Sequence, residues 1–410
     1  MTNFDQMLEK YADLAVRVGV NIQKGQNLNI NAPISTVDYV RKVVKKAYEA
    51  GARNVYVEWN DDEVTRTRYD LAPDEAFTDY PMWKAKGMEE LAEGGAAFLS
   101  IVSSNPDLLK GVDPERIAKA NKSAGMAMDK FRSYSMSDKV SWSVIAVPSI
   151  SWAEKVFPNL SSEEQVDKLW EAIFQATRVN TDDPVLAWKE HNATLHTKVD
   201  YLNGKKYKKL HYKAPGTDLV VELPEGHMWI GGGSVNEQNN PFVANMPTEE
   251  VFTLPLKEGV NGYVSSTKPL NYGGSLIENF TLTFEKGRIV RVKAESGEET
   301  LKRLVDTDEG SHYLGEVALV PHNSPISQSN IIFYNTLFDE NASNHFALGN
   351  AYAFCIEGGK TMSKEELAEK GANSSITHVD FMVGSAEMDI DGITTDGKVE
   401  PVFRNGNWAF

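Results

Sequence analysis

The C-terminal half of the chain places histidines and carboxylates among apolar residues. Thr377-His378-Val379-Asp380-Phe381-Met382-Val383-Gly384 has the pattern of a β-strand. His378 and Asp380 are two positions apart, so they project from one face. Their neighbours Ile376, Val379 and Phe381 are apolar. An imidazole and a carboxylate in such surroundings need a compensating charge or hydrogen bonds. A divalent cation supplies the first, and a hydrogen-bonded His–Asp pair supplies the second. Glu316 lies in Leu314-Gly315-Glu316-Val317-Ala318-Leu319-Val320-Pro321, an otherwise apolar strand. It is either a buried, partnered carboxylate or an edge residue facing water. Glu249 and Glu250 are adjacent in Pro247-Thr248-Glu249-Glu250-Val251-Phe252-Thr253. Strand alternation turns at most one of them inward and leaves the other solvated. His345 and Tyr352 are seven apart in Asn344-His345-Phe346-Ala347-Leu348-Gly349-Asn350-Ala351-Tyr352, a spacing that would share a helix face. Gly349-Asn350 argues against an unbroken helix, and a lone His345 beside Phe346 reads as a packed residue more readily than as a ligand.

Two kinds of element must position these groups. The first part alternates helix and strand. Phe4, Met7, Leu8, Tyr11, Leu14, Ala15 and Val18 recur at helical spacing, and Gly25 leads into the strand of Leu28 and Ile30. Ser35 or Thr36 caps a helix carrying Val40, Val43, Val44 and Ala47, which Gly51 ends. Val55–Trp59, Ala96–Val102 and Val144–Val147 are further strands. A helix over Ser162–Ala176 begins with a capping box of Ser162 and Gln165. This alternation predicts an α/β domain, a mainly parallel sheet flanked by helices. From about His211 the pattern turns strand-rich, an α+β arrangement. Thr217–Leu223 is a strand, Phe280–Phe284 and Ile289–Val292 form a hairpin around Glu285-Lys286-Gly287-Arg288, and a helix covers Glu298–Val305. The boundary falls between about 180 and 205, giving an N-terminal domain of 1–190 and a C-terminal domain of 191–410. No internal repeat or low-complexity segment is present.

Composition narrows the chemistry. A chain of 410 residues holds two to three domains. Cys355 is the only cysteine, which excludes an intramolecular disulfide and thiolate zinc clusters and fits a reducing compartment. Cys355 itself reads as packed rather than nucleophilic. The net charge of −16 disfavours nucleic acid as a partner. The basic run Lys205–Lys209 reads as the solvated edge of a hairpin. The longest apolar runs, such as Ala96–Val102, fall short of the roughly 20 residues a bilayer needs. Asp5, Glu9 and Asp13 occupy the place where a signal peptide would be basic and then apolar. The expectation is a soluble, cytoplasmic protein with neither a membrane nor a nucleic-acid partner. There is no HExxH helix, GxxxxGK[ST] loop or GxSxG elbow. Gly231-Gly232-Gly233 lacks the following helix of a dinucleotide site and reads as a turn or a close backbone approach.

Four segments, taken in order, carry a resemblance. Pro247–Thr253, Leu314–Ala318, Asn344–Gly349 with Tyr352, and Thr377–Asp380 closely resemble motifs of the thermophilic-type metalloaminopeptidases, peptidase family M29. That family includes aminopeptidases T, S and II, and the chain looks most like the aminopeptidase S branch. The resemblance covers essentially the whole chain. It implies an N-terminal α/β domain, a C-terminal catalytic domain, a homodimer and two divalent metal ions per chain. Carried over by position, the metal ligands would be Glu250, Glu316, His345, His378 and Asp380, with Tyr352 as the active-site tyrosine. The choice of Glu250 over Glu249 rests on the family motif. The implied reaction is release of N-terminal amino acids from peptides by a water activated between two metals. Glu316 would bridge the pair and Tyr352 would donate a hydrogen bond to the oxyanion. Zn²⁺, Co²⁺, Mn²⁺ and Mg²⁺ all suit such ligands. Rival readings are an amidase or dipeptidase on the same metal pair, or a non-catalytic peptide-binding protein with a structural cation.

Overall fold

The computed structural model describes residues 3–103, 105–272 and 275–410. The chain divides into two compact units, residues 1–193 with 232–248 and residues 194–231 with 249–410. The segment 232–248 thus returns to the first unit, an excursion that the single boundary at 190/191 does not contain.

The first unit is built on a four-stranded parallel sheet in the order Asn54–Asn60, Asn27–Pro33, Ala97–Val102, Trp142–Ala146. In the second of these strands Leu28, Asn29 and Ile30 are consecutively buried, as expected where both faces are covered. Helices Asn3–Leu14, Val37–Glu49 and Ser162–Ala176 share an aromatic cluster of Tyr11, Tyr39, Trp170 and Phe174. Helices Met82–Glu93 and Asp129–Met136 join another cluster around Phe98, whose ring lies 5.0 Å from Phe131. The capping box of the Ser162–Ala176 helix is one residue earlier than the sequence pattern suggests. Ser161 and Glu164 make it, while Gln165 turns back to donate to the carbonyls of Phe157 and Leu160.

The second unit is built mainly on two antiparallel sheets sharing one core, beside a two-stranded ribbon of Leu270–Tyr272 and Ser275–Ile277. The larger has eight strands, in the order Arg288–Lys293, Thr281–Glu285, Val260–Ser265, Thr217–Glu222, Lys209–Ala214, Asp389–Ile393, Val399–Arg404, Asn407–Trp408. The smaller has five, in the order His378–Met382, His345–Gly349, Leu314–Leu319, Val251–Thr253, Ile230–Gly231. Tyr212 of the larger sheet meets Phe346 of the smaller at 5.0 Å between ring centres. Phe280, leading into the larger sheet, meets Phe381 of the smaller at 5.6 Å.

The predicted hairpin forms between Glu285 and Arg288, with Lys286 and Gly287 both at positive φ. The helix Glu298–Val305 also forms over the expected residues. The basic run is different from its expectation. Lys205 ends the helix Pro184–Lys205 and Lys209 begins an interior strand, so neither lies on a hairpin edge. Their charges are met by Glu400 and Glu222, each at 2.6 Å, and Tyr207 between them is fully buried.

Candidate metal centre

The five-stranded sheet has two chemically different faces. Directly opposed residues on antiparallel strands share a face. Pairing places Phe252, Ala318, His345 and Met382 in one cross-strand row, and Glu316, Ala347 and Asp380 in the next. His378 lies opposite Gly349 on the same side. The alternate residues Val317, Leu319, Phe346, Leu348 and Phe381 enter the core between the sheets. Period-two alternation therefore puts one side of three neighbouring strands into hydrocarbon and the histidines and carboxylates on the other.

The register is broken once, between Leu314 and Glu316. A bulge at this point re-aims the side chain that follows it, here Glu316. Gly315 makes the bulge possible, because a Cβ there would lie 2.3 Å from the carbonyl oxygen of Asn350 and 2.4 Å from that of Gly349.

Within this face two groups form. Glu250, Glu316 and His345 each offer a ligand atom within 4.8 Å of the others, and so do Glu316, His378 and Asp380. Glu316 belongs to both. Its Oε1 is 3.5 Å from His345 Nε2, and its Oε2 is 3.4 Å from His378 Nε2. His345 Nε2 is also 3.0 Å from Glu250 Oε2, and His378 Nε2 is 3.5 Å from Asp380 Oδ1. All five residues that the resemblance carries over are thus brought together.

The far side of each imidazole fixes its tautomer. His345 Nδ1 donates to the Ser343 carbonyl at 3.0 Å, and His378 Nδ1 donates to the Asn350 carbonyl at 2.7 Å. A carbonyl can only accept, so both Nδ1 atoms carry the proton. In the neutral imidazoles the Nε2 lone pairs then face carboxylate oxygens, an arrangement that a cation between them stabilises. Glu250 Oε2 and Asp380 Oδ1 are buried and face these Nε2 atoms, which in the neutral tautomer offer a lone pair and no hydrogen, so neither oxygen receives a hydrogen bond from the imidazole it faces. Buried carboxylate oxygens left in this way cost free energy that a divalent cation removes. The donor set and the orphaned oxygens therefore fit divalent metal ions.

Electrostatics agree. Burial disfavours charge on both imidazoles, but the surrounding carboxylates outweigh it and hold both pKa values well above the ordinary range. Burial raises the Glu316 pKa, yet the two imidazoles bring it down to about 2. Glu250 is pushed up, by burial first and by Glu316 and Asp380 as well. Without cations the site thus holds protons that metal binding would displace.

Tyr352 lies beside the cluster, its ring 4.8 Å from that of His378. It is not on a helix with His345. His345 is in a strand, and Tyr352 precedes the 3₁₀ turn Ala353–Cys355. Burial and the nearby carboxylates raise its pKa well above the usual phenol value, so it is protonated.

The two adjacent glutamates also depart from strand alternation. The strand starts only at Val251, and both Glu249 and Glu250 are buried. The backbone N–H of Glu249 donates to Asn341 Oδ1 at 2.7 Å. Asn341 Nδ2 in turn donates to Glu340 Oε1 at 3.3 Å and to the Leu337 carbonyl. Glu340 is a carboxylate that the sequence reading missed. It is buried, and its pKa is driven well above normal by burial and by the Asp380 and Glu250 carboxylates. The only available signal was its place in Asp339-Glu340-Asn341, just before the His345 motif, where it resembles an ordinary polar turn.

Cys355 is buried, and it packs with Leu254, Phe354 and Ile356. Gly231 approaches the backbone closely, since a Cβ there would lie 2.7 Å from the Glu250 carbonyl oxygen.

Comparison with known proteins extends this geometry to the whole chain. Aminopeptidase AmpS of Bacillus subtilis (strain 168) is 66% identical over 410 residues, covering 100% of both chains. Aminopeptidase 2 of Geobacillus stearothermophilus is 59% identical, over 100% of this chain and 99% of its own. The solved structure of wild-type AmpT from Thermus thermophilus superposes with a TM-score of 0.92 at 45% identity, covering 99% of this chain and 100% of that one. The family model for the thermophilic metalloproteases, M29, matches residues 4–408. A metal-fitting cluster that draws on four separate segments, within a match that spans both units, means that the chain belongs to the thermophilic metalloprotease family M29 and is a hydrolase of that family.

Proposed function

We propose that this protein is a metal-dependent aminopeptidase that holds two divalent cations and releases N-terminal amino acids from peptides. The observation that carries the reading is Glu316, which presents one carboxylate oxygen to each imidazole. Glu250 and His345 would complete one half of the centre, and His378 and Asp380 the other. When bound, such a cation pair acidifies a water for attack near neutral pH and polarises the scissile carbonyl.

The chain's own residues account for the rest. Three carboxylates oppose the four positive charges of two dications, so the centre keeps a net positive charge. The backbone carbonyls of Ser343 and Asn350 fix the imidazole orientations. Tyr352, protonated and beside His378, donates to the oxyanion that develops on the carbonyl. Glu340, buried beside the same carboxylates, would carry a proton to the departing amine. A carboxylate of the same cluster holds the substrate's free α-amino group, which confines cleavage to the first peptide bond. A homodimer in the cytoplasm is part of the same proposal. No helix among the described residues is long and apolar enough to cross a membrane.

The test is hydrolysis of an aminoacyl-p-nitroanilide with a free and with an acetylated amino group. Activity on the free form alone is expected, abolished by EDTA and restored by Co²⁺ or Zn²⁺. Equal turnover of the acetylated form would favour an amidase. Full activity in a verified metal-free sample would remove the metal mechanism, and metal binding with no turnover would favour a structural cation.

A further inference from the structure

The face that carries the proposed ligands also carries Phe252, an aromatic side chain that the proposed chemistry does not use. Phe252 is on this face because it pairs with Ala318, which itself pairs with His345. Phe252 and His345 therefore stand two strands apart, roughly 10 Å. In their row only the methyl of Ala318 lies between them. On its other side Phe252 pairs with Ile230.

Around Phe252 the structure places an aromatic wall. Its ring is 5.9 Å from Tyr352 and 6.1 Å from Phe354, and Tyr352 stacks on Phe354 at 5.0 Å. Ile230, Phe252 and Tyr352 are only partly buried, packed against a small apolar cluster separate from the core between the sheets. Partly exposed aromatic rings beside buried carboxylates gain little from water. They would gain much from an apolar group laid against them.

We infer that Phe252, with Tyr352 and Phe354, forms the subsite for the side chain of the substrate's N-terminal residue, and that this subsite favours large apolar side chains. The inference rests on the aminopeptidase reading and adds its substrate class. A residue whose carbonyl and amino group both meet the ligand cluster has its side chain within a few ångströms of that cluster. Tyr352 links the two, since it touches His378 on one side and the aromatic wall on the other. Phe252 follows Glu250 by two residues, so the segment that supplies a ligand also supplies the wall.

The experiment compares kcat/KM for leucyl-, phenylalanyl- and alanyl-p-nitroanilide in the metal-loaded wild type, Phe252→Ala and Phe252→Trp, with metal content measured on each. Reading the ratio of large to small substrate cancels any general loss of activity. Apolar pocket contacts discriminate by about 10–200-fold. Phe252→Ala is expected to lower the leucyl-to-alanyl ratio by about tenfold or more, and Phe252→Trp, which fills the subsite, to lower the phenylalanyl-to-alanyl ratio. Unchanged ratios in both variants with both metals retained would overturn the subsite while leaving the aminopeptidase intact. A wild type that hydrolyses none of the three would instead overturn the aminopeptidase reading on which the subsite rests.

Discussion

Glu316 offers an oxygen to each of two imidazoles, so with the proposed pair of cations its charge would support both halves of the centre at once. Glu316→Gln keeps the shape but exchanges one oxygen for an NH₂ group, which cannot ligate a cation. Loss of one metal equivalent is expected, with the circular dichroism spectrum retained and turnover greatly reduced. Two equivalents bound and turnover near wild type would show that Glu316 does not bridge. Tyr352 makes the complementary case. Its phenol is protonated and lies beside the proposed ligands, and the role proposed for it is a hydrogen bond to the transition state rather than ligation. Tyr352→Phe should keep both metals and lose about 10²–10³ in kcat, some 2.7–4 kcal/mol. KM should move far less, because the interaction forms as charge develops. An unchanged kcat would reduce Tyr352 to a packing residue, whereas loss of metal would make it part of the ligand set.

At the scale of elements, the bulge at Gly315 ties backbone geometry to metal affinity. The carbonyl that a Cβ at 315 would strike belongs to Asn350, and that carbonyl orients His378 through its Nδ1. Both atoms in the way are backbone, so they cannot simply swing aside. Gly315→Ala is expected to cost about 1–3 kcal/mol in overpacking. It should also weaken metal binding about 10–100-fold, as disturbance of the groups that orient metal ligands does. Denaturant unfolding and metal titration check the two effects, and unaltered affinity would uncouple the bulge from the site. Element type also explains what could be read from the chain alone. His378 and Asp380 were legible because period-two alternation holds through their strand, and Glu316 because a carboxylate stands out in an apolar strand. Glu249 and Glu250 were not separable by alternation, because the strand begins one residue after them. His345 was hidden by Phe346, since adjacent residues on a doubly covered strand serve opposite faces. The Lys205–Lys209 run looked like an exposed edge, because strand order is not encoded locally.

At the scale of the molecule, the chain leaves the first unit near Ala193, returns over Gly232–Thr248 and leaves again. This returning segment completes the first unit. Val144, on the last strand of the parallel sheet, donates to the Ala244 carbonyl and accepts from the N–H of Met246. Val243 donates to the Gly19 carbonyl, Asn236 to Ser141 and His191 to the Thr248 carbonyl. Phe242, Val243 and Met246 are buried. A chain of residues 1–190 would lack all of this and would present Val144 on an open strand edge, a template for aggregation. Burial of three such side chains contributes roughly 1.5–3 kcal/mol each. Their loss, about 5–9 kcal/mol at most, rivals the whole stability of a typical domain of about 5–15 kcal/mol. Residues 1–190 alone are therefore expected to aggregate or to unfold without a cooperative transition. Residues 1–193 joined through a flexible linker to 232–248 are expected to stay monodisperse and unfold cooperatively. Light scattering and urea unfolding of the two chains decide the matter. A cooperative transition in residues 1–190 at the same urea midpoint as in the joined chain would show that the first unit ends before its returning segment.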